Sequence, residues 1–240
     1  MKQYPRLISI AILCLALALL MAFTGADVRF SASSSVQLEG IVRETIHSAP
    51  PQDYETEKPV LVLYSPDRET SEKYTTNLCD TLDYLKWEHE KLDIAQAESI
   101  SYYDYSMVVI ATDNIEEDMS DDPRRILNYV ADGGQLFFGM LQSEYGRNFQ
   151  SIHHQLGIHE YTDYADYDKL HFNEDLLVGT TGQVLQDEEL ADICLKVSLR
   201  KDARVYLSAE LEEETLPLFW TFQHENGSVG VFNASFSSGD

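Results

Sequence analysis

Two nearly continuous apolar runs stand out in the first half of the folded sequence. They cover residues 60–65 (VLVLYS) and 105–112 (YSMVVIAT). Uninterrupted apolar residues over this length are typical of strands that are buried on both faces of a sheet. A third run, residues 135–140 (QLFFGM), comes directly after Gly133 and Gly134. The pattern therefore predicts three buried strands.

Amphipathic segments separate these runs. Residues 69–85 carry apolar side chains at helical spacing, which predicts a helix. Residues 123–131 predict a second helix, with a proline at its start and a glycine pair after its end. Residues 87–92 alternate between apolar and polar and predict a strand nearer the edge of the sheet. Strand, helix, strand, helix, strand in this order predicts a doubly wound parallel sheet.

The last third of the chain predicts antiparallel strands. Residues 203–209 are one of them. Residues 216–223 and 228–234 flank the sequence HENG, in which the Asn-Gly pair is a strong hairpin signal. Residues 142–182 are polar and predict a loop-rich connection. The predicted fold class is therefore α/β, a doubly wound sheet with a C-terminal antiparallel hairpin.

The N-terminus predicts a membrane or secretion signal. Lys2 and Arg6 precede an uncharged run, residues 7–23, whose length is at the lower limit for crossing a bilayer. Basic residues before such a run favour a location outside the cytoplasm for the rest of the chain. The expected divisions are a membrane anchor or cleaved signal peptide at residues 1–26, a polar juxtamembrane linker at residues 27–57, and a folded domain at residues 58–240.

The composition excludes several classes of function. The chain has 41 acidic and 17 basic residues and a formal net charge of −24. Nucleic acid is therefore not an expected partner, because a phosphate backbone requires Lys and Arg. Three cysteines are too few for a disulfide scaffold, and no two have the spacing of a zinc knuckle. We expect no cofactor and no metal.

The arrangement of the elements resembles a known fold. The unit of helix, glycine pair and apolar strand at residues 128–140 resembles the class I glutamine amidotransferase-like fold, a variant of the flavodoxin type. With the N-terminal run and the closing hairpin PLFWTFQHENGSVGVFNAS, the chain is similar to the bacterial domain-of-unknown-function 2194 family. The resemblance implies a membrane-anchored or secreted protein. It also implies a neighbouring polysaccharide-deacetylase-like domain and a context of exopolysaccharide (Pel-type) synthesis.

The sequence lacks the residues that the implied enzymes need. An amidotransferase of this fold needs a cysteine at a sharp turn from strand to helix, with a histidine partner. Cys79 lies inside the first predicted helix and Cys194 in an apolar context, so we interpret both as core residues; a disulfide between them stays open. No aspartate with two suitably spaced histidines is present for deacetylase chemistry. We therefore expect a domain without catalysis of its own.

A first candidate site lies where sheets of this type bind ligands, at the carboxyl ends of the strands. It consists of Ser65, Asp113, Gln142 and Ser143. Ser143 is the candidate nucleophile, but the sequence shows no base that could activate it.

A second candidate site is a stretch in which Tyr161, Tyr164 and Tyr167 are interleaved with Asp163, Asp166 and Asp168. Carboxylates next to aromatic rings can hold a cationic sugar polymer by charge pairing and stacking. The alternative is that the tyrosines only pack on the sheet. The histidines of the same neighbourhood are His153, His154, His159 and His171; we expect the adjacent pair to diverge, so no metal site is expected there.

The leading hypothesis is a non-catalytic, extracytoplasmic interaction or polymer-contact module in exopolysaccharide production. Its expected partners are the membrane, through the N-terminal span, and a cationic polysaccharide or other proteins of the same system. The alternatives are an accessory part of a polysaccharide deacetylase whose catalytic domain lies elsewhere, a hydrolase that uses Ser143, and a sensor domain that binds a small ligand.

Overall fold

The computed structural model describes residues 58–119, 122–141, 149–174, 181–186, 192–211 and 214–234. The expected N-terminal span and linker lie outside these ranges, and so do Gln142 and Ser143. Within the described ranges, no helix is long and apolar enough to cross a membrane.

The described elements follow the predicted alternation and then depart from it. The helices are α1 (Glu69–Tyr84), α2 (Ile115–Asp118) and α3 (Arg124–Ala131), with 3-10 helices at Ile94–Ser99 and Tyr102–Asp104. The strands are β1 (Val60–Tyr64), β2 (His89–Asp93), β3 (Met107–Ile110), β4 (Gln135–Phe138), β5 (Ile158–Tyr167), β6 (Lys169–Phe172), β7 (Val184–Gln186), β8 (Asp192–Leu199), β9 (Arg204–Glu210), β10 (Thr215–His224) and β11 (Gly227–Phe232).

Most of the described strands form one mixed sheet, in the order β2-β1-β3-β4-β11-β10-β9-β6-β7. The half from β2 to β11 is parallel. The half from β11 to β7 is antiparallel. The sequence therefore predicted the parallel half, the closing hairpin and the strand before it, and the structure extends this antiparallel half outward by two further strands, β6 and β7.

Two apolar clusters cover the two faces of this sheet. In β1, Leu61 and Leu63 belong to the cluster that includes residues of α3, whereas Val60 and Val62 belong to the cluster that includes residues of α1. Successive side chains of a strand point to opposite faces, so a strand covered on both sides needs apolar residues at every position. This explains the uninterrupted apolar run.

The interpretation of residues 142–182 as loop-rich was wrong in part. β5 covers ten residues of this stretch and pairs antiparallel with β8, and β6 joins the main sheet. We call the pair β5 and β8 the ribbon. Tyr161 and Tyr164 pack against one core cluster and Tyr167 belongs to the other. The ribbon therefore contributes to both sides of the core.

The side chain of Asn233 joins the ribbon to the main sheet. It is fully buried directly after β11. Its Oδ1 accepts from the Leu195 N–H at 3.0 Å, and its Nδ2 donates to the Leu195 carbonyl at 2.8 Å and the Pro217 carbonyl at 2.9 Å. The amide group thus takes the place of a neighbouring strand for β8, which satisfies buried backbone groups on both sheets.

Ionisation of one buried and one half-buried tyrosine is expected to limit stability at alkaline pH. The hydroxyl of Tyr74 is enclosed against Gly139, and burial raises its pKa. Burial, together with a hydrogen bond of 2.6 Å to Glu90, raises the pKa of Tyr105 to about 12. The folded state therefore holds these protons more tightly than the unfolded chain, in which tyrosine ionises near pH 10. The resulting stabilisation is complete below about pH 10 and is lost as the pH rises toward 12.

We expect the urea midpoint of unfolding to fall as the pH rises above about 10. Tyr74→Phe removes one of the ionisable hydroxyls and should flatten this dependence. Tyr84→Phe is the matched control, because Tyr84 is 78% exposed; it should leave the profile unchanged. A midpoint that falls equally in the wild type and in Tyr74→Phe would contradict the assignment to Tyr74.

Candidate functional site

The structure places Ser65 and Asp113 at the carboxyl ends of two adjacent parallel strands, β1 and β3. The Ser65 N–H donates to Ser71 Oγ at 2.8 Å, and that hydroxyl donates to the Ala111 carbonyl at 2.6 Å. Ser71 is fully buried in the first turns of α1. The ends of the two strands are therefore tied together through the helix that comes after β1.

Arg68 neutralises part of the acidic loop that comes after β3. Its Nε donates to Asp118 Oδ1 at 3.0 Å and Oδ2 at 2.8 Å, and its Nη2 donates to Glu117 at 2.9 Å. Its Nη1 lies 3.9 Å from Asp113 Oδ1. Thr112 Oγ1 donates to Asp118 Oδ2 at 2.6 Å. Burial lowers the pKa of the Arg68 guanidinium, but the hydrogen bond and the charge of Asp118 outweigh this, so the pKa lies above its ordinary value.

These contacts close the predicted strand-end site from within. Ser65 is 6% exposed and Asp113 is 8% exposed. Neither lines the cavity in the antiparallel half of the fold or the smaller one beside α3. The other two predicted members, Gln142 and Ser143, lie outside the described residues. In the part of the site that the structure describes, hydrogen bonds of Ser71 and ion pairs of Arg68 hold the strand ends together, which is a structural arrangement.

The larger cavity lies in the antiparallel half of the fold. It has a volume of about 580 Å³ and opens where β5 ends and β6 begins, beside β7 and the ends of β9 and β10. We call it the acidic cleft. Its lining residues are Asp166, Tyr167, Asp168, Lys169, Gln186, Glu210, Leu211 and Glu214. Four carboxylates against one ammonium group give this cleft a negative field that favours cations.

The acidic cleft divides the predicted aromatic and acidic stretch. Asp166, Tyr167 and Asp168 line the cleft, with Tyr167 only 8% exposed. The earlier members of the stretch, Tyr161, Asp163 and Tyr164, lie further back along β5 and do not line it. Their tyrosine rings are half-buried against the core, and Tyr161 contacts the Phe149 ring at a centroid distance of 5.3 Å. Tyr161 and Tyr164 therefore pack on the core.

Sequence reasoning missed most of the acidic cleft. Glu210 and Glu214 flank the connection between β9 and β10, and Gln186 lies in the edge strand β7. Each belongs to a different segment from Asp166, and no local pattern marks them as neighbours. The signal that was present is the excess of acidic residues, which does not say where they meet.

The expectation that the side chains of His153 and His154 diverge was wrong. Their ring centroids lie 4.0 Å apart. His153 Nδ1 is bonded to the Gln150 carbonyl at 2.7 Å and His154 Nδ1 to the Ile158 carbonyl at 3.3 Å. Among the residues that the structure describes, no three His, Cys, Asp or Glu side chains are placed to hold a metal ion.

Both described cysteines contact the core. Cys194 is fully buried in β8, and Cys79, in α1, is half-buried against the same cluster. Both thiols are free, so they form no disulfide with each other. Burial raises the pKa of the Cys79 thiol, which makes it a poor nucleophile. Neither cysteine lies at a turn from strand to helix.

A smaller cavity of about 330 Å³ lies between the 3-10 helices and α3. Arg125 lines this cavity. Its guanidinium donates to the Ile100 carbonyl at 2.8 Å and lies over the Tyr102 ring. These contacts hold the 3-10 segment against α3, so we assign the cavity a structural origin.

A family model and several solved structures are similar to this chain. A family model described as "Uncharacterised protein conserved in bacteria (DUF2194)" matches residues 53–238. No curated protein matches the chain. Among solved structures, a ThuA-like protein from Bacteroides uniformis ATCC 8492 is 13% identical with a TM-score of 0.55, over 80% of this chain and 90% of that chain.

Two further solved structures are similar at the same level. A cytoplasmic protein from Salmonella typhimurium LT2 is 16% identical with a TM-score of 0.52, over 76% of this chain and 89% of that one. The exo-beta-1,4-mannosidase from Opitutaceae bacterium strain TAV5 is 15% identical with a TM-score of 0.52, over 75% of this chain but only 32% of the enzyme. At such identities the likeness shows the fold alone. It confirms the α/β fold, and the ThuA-like neighbour fits the amidotransferase-like variant.

Proposed function

The chain belongs to the DUF2194 family of bacterial proteins, and from this premise we propose that its folded domain is a non-catalytic module that contacts a cationic polysaccharide. The observation that carries the proposal is the acidic cleft. It is larger than the cavity beside α3, and four carboxylates line it. A ligand that carries ammonium groups would find several hydrogen-bond acceptors of opposite charge there.

The chemistry of an amino sugar fits such a cleft. A deacetylated hexosamine presents one ammonium group on each ring, together with hydroxyls and an apolar ring face. Asp166 and Asp168 would accept from the ammonium groups, and the carboxamide of Gln186 can both donate to and accept from hydroxyls. Acetylation replaces the ammonium group by a neutral amide and removes the charge that the cleft selects.

The wider context is part of the same proposal. The uncharged run at residues 7–23 supports an anchored or secreted, extracytoplasmic domain. The family resemblance supports a place in exopolysaccharide production, with or without a deacetylase that acts elsewhere. If the domain is an accessory part of a deacetylase, the expected ligand is again a cationic polysaccharide, because deacetylation creates ammonium groups. A fold like this one also makes up part of an exo-beta-1,4-mannosidase, at 32% of that enzyme's length.

We expect the protein to bind a glucosamine hexamer more tightly than the matching N-acetylglucosamine hexamer. Isothermal titration at low and moderate salt measures this difference. Affinity for the cationic hexamer should fall as salt rises, because exposed charges are screened within about 10 Å at 0.1 M. Equal affinity for both hexamers, or no binding of either, would remove the basis of the proposal.

Two double variants that remove the same charge test whether the polymer binds in the acidic cleft. Asp166→Asn combined with Asp168→Asn removes two carboxylates from the acidic cleft and should weaken binding of the glucosamine hexamer by about three- to tenfold. Asp80→Asn combined with Asp83→Asn removes the same charge from the exposed face of α1 and should leave affinity nearly unchanged. Equal losses in the two double variants would show that the net charge, not the cleft, attracts the ligand.

A further inference from the structure

One carboxylate of the acidic cleft already holds an ammonium group that the protein itself supplies. Lys196, in β8, donates through Nζ to Glu214 Oε1. Both side chains are partly exposed, at 36% and 45%. The hydrogen bond to Glu214 raises the pKa of Lys196, and the charge of Asp163 adds to this effect. Lys196 does not line the cleft itself, but its charged ammonium group is bonded to one of the carboxylates that do.

The other carboxylates of the cleft are not neutralised in this way. The side chains of Asp166, Asp168 and Glu210 form no ion pair with another residue of the described ranges. Lys169 lines the cleft, whereas Lys196 lies outside the lining and bonds one of its carboxylates, Glu214. Glu214 thus differs from the other three in being occupied.

The group bound at Glu214 has the chemistry that the proposed ligand would bring. A lysine side chain ends in a primary ammonium group with three donors, as does a deacetylated amino sugar. A polymer ammonium that approaches Glu214 must therefore share this carboxylate with Lys196 or displace it. It also meets the repulsion of a like charge.

We infer that Lys196 occupies one ammonium-binding position of the acidic cleft and competes with the cationic polymer for Glu214. The inference rests on the proposed function and adds a residue that sets its affinity. The tether of Lys196 to β8 keeps its local concentration high, so the ligand has to outcompete a neighbour that is always present. Removing the Lys196 ammonium should free Glu214 and tighten binding.

Lys196→Met tests this, because methionine keeps an unbranched apolar side chain and loses the ammonium group. We expect the full-length variant to bind the glucosamine hexamer about two- to fivefold more tightly than the wild type. Lys196→Arg keeps the charge and should show no gain. Lys201→Met is the matched control: it removes the same charge from an exposed position past the end of β8 and should change affinity less than twofold.

The outcomes separate the inference from the proposed function. If the wild type binds the hexamer and Lys196→Met binds it no more tightly, the inference that Lys196 competes for Glu214 is wrong, while the proposed function stands. Equal gains in Lys196→Met and Lys201→Met would also overturn it, since they would reflect net charge alone. If neither the wild type nor Lys196→Met binds the hexamer, the proposed function fails and this inference fails with it. Because the pair is exposed, all variants should keep the wild-type midpoint of unfolding.

Discussion

Replacing Asn233 with alanine should lower the free energy of unfolding by about 3 kcal/mol or more. The change removes three side-chain hydrogen bonds at a position with no solvent exposure. It leaves the N–H and carbonyl of Leu195 and the carbonyl of Pro217 without these partners. Each buried backbone group that loses its partner costs about 1–3 kcal/mol. Since domains of this size are stable by about 5–15 kcal/mol, the loss is a large fraction of the total.

Urea unfolding followed by tryptophan fluorescence measures this effect, and Asn128→Ala provides the control. Asn128 lies on the exposed face of α3, so the control variant should unfold within about 0.5 kcal/mol of the wild type. Hydrogen exchange adds a local test, because the Leu195 amide should lose protection in Asn233→Ala before the centre of β1 does. A variant as stable as the wild type would show that the ribbon does not depend on this amide.

The parts of the fold that the sequence predicts are those whose packing leaves a local pattern. β1 is buried on both faces, so each of its positions must be apolar, and the run is visible without knowledge of its neighbours. The helix α3 begins just after Pro123 and ends just before the glycine pair, and Gly133 has a φ of 109°. A glycine adopts this conformation without a steric penalty. Local chemistry alone therefore marked both ends of that helix.

β5 was missed because its pattern is interrupted. Its tyrosines are three residues apart, whereas one face of a regular strand repeats every two residues. The pairing with β8 shifts register between Tyr161 and Tyr164, which brings both rings to the same core cluster. No shift occurs after Tyr164, so the odd spacing sends Tyr167 to the other cluster. The register shift thus hides the strand from the alternation pattern, and the regular pairing after Tyr164 lets the ribbon pack on both sides of the core.

The candidate ligand site in the structure also differs from the predicted one, and the reason is physical. A doubly wound sheet usually binds ligands at the carboxyl ends of its parallel strands, which was the basis for choosing Ser65 and Asp113. In this protein the loop after β1 carries Arg68, and its contacts with the acidic loop after β3 close that position. The open cavity lies instead where the antiparallel extension meets the ribbon. Its carboxylates come from separate segments, so only the tertiary structure brings them together.

Replacing Arg68 with methionine should destabilise the domain by about 2–4 kcal/mol at neutral pH. Methionine keeps much of the apolar stem of arginine but removes the guanidinium that binds Asp118 and Glu117 and lies near Asp113. The side chains of Asp113 and Asp118 are only 8% and 10% exposed, so both would remain as buried charges that have lost the Arg68 guanidinium. Removing one partner of a buried ion pair is costly for this reason, even where the intact pair adds little stability.

Two further variants make the test specific. Arg124→Met removes an arginine that also pairs with an aspartate, Asp122, but its side chain is 76% exposed, and we expect no measurable change in the midpoint of unfolding. Adding Asp118→Asn to Arg68→Met removes one of the stranded charges and still lets Thr112 donate to the side-chain oxygen at position 118. This double variant should be more stable than Arg68→Met alone. If it is less stable, the Asp118 carboxylate stabilises the loop through contacts other than those with Arg68, and neutralisation by Arg68 does not explain the closure of the strand-end site.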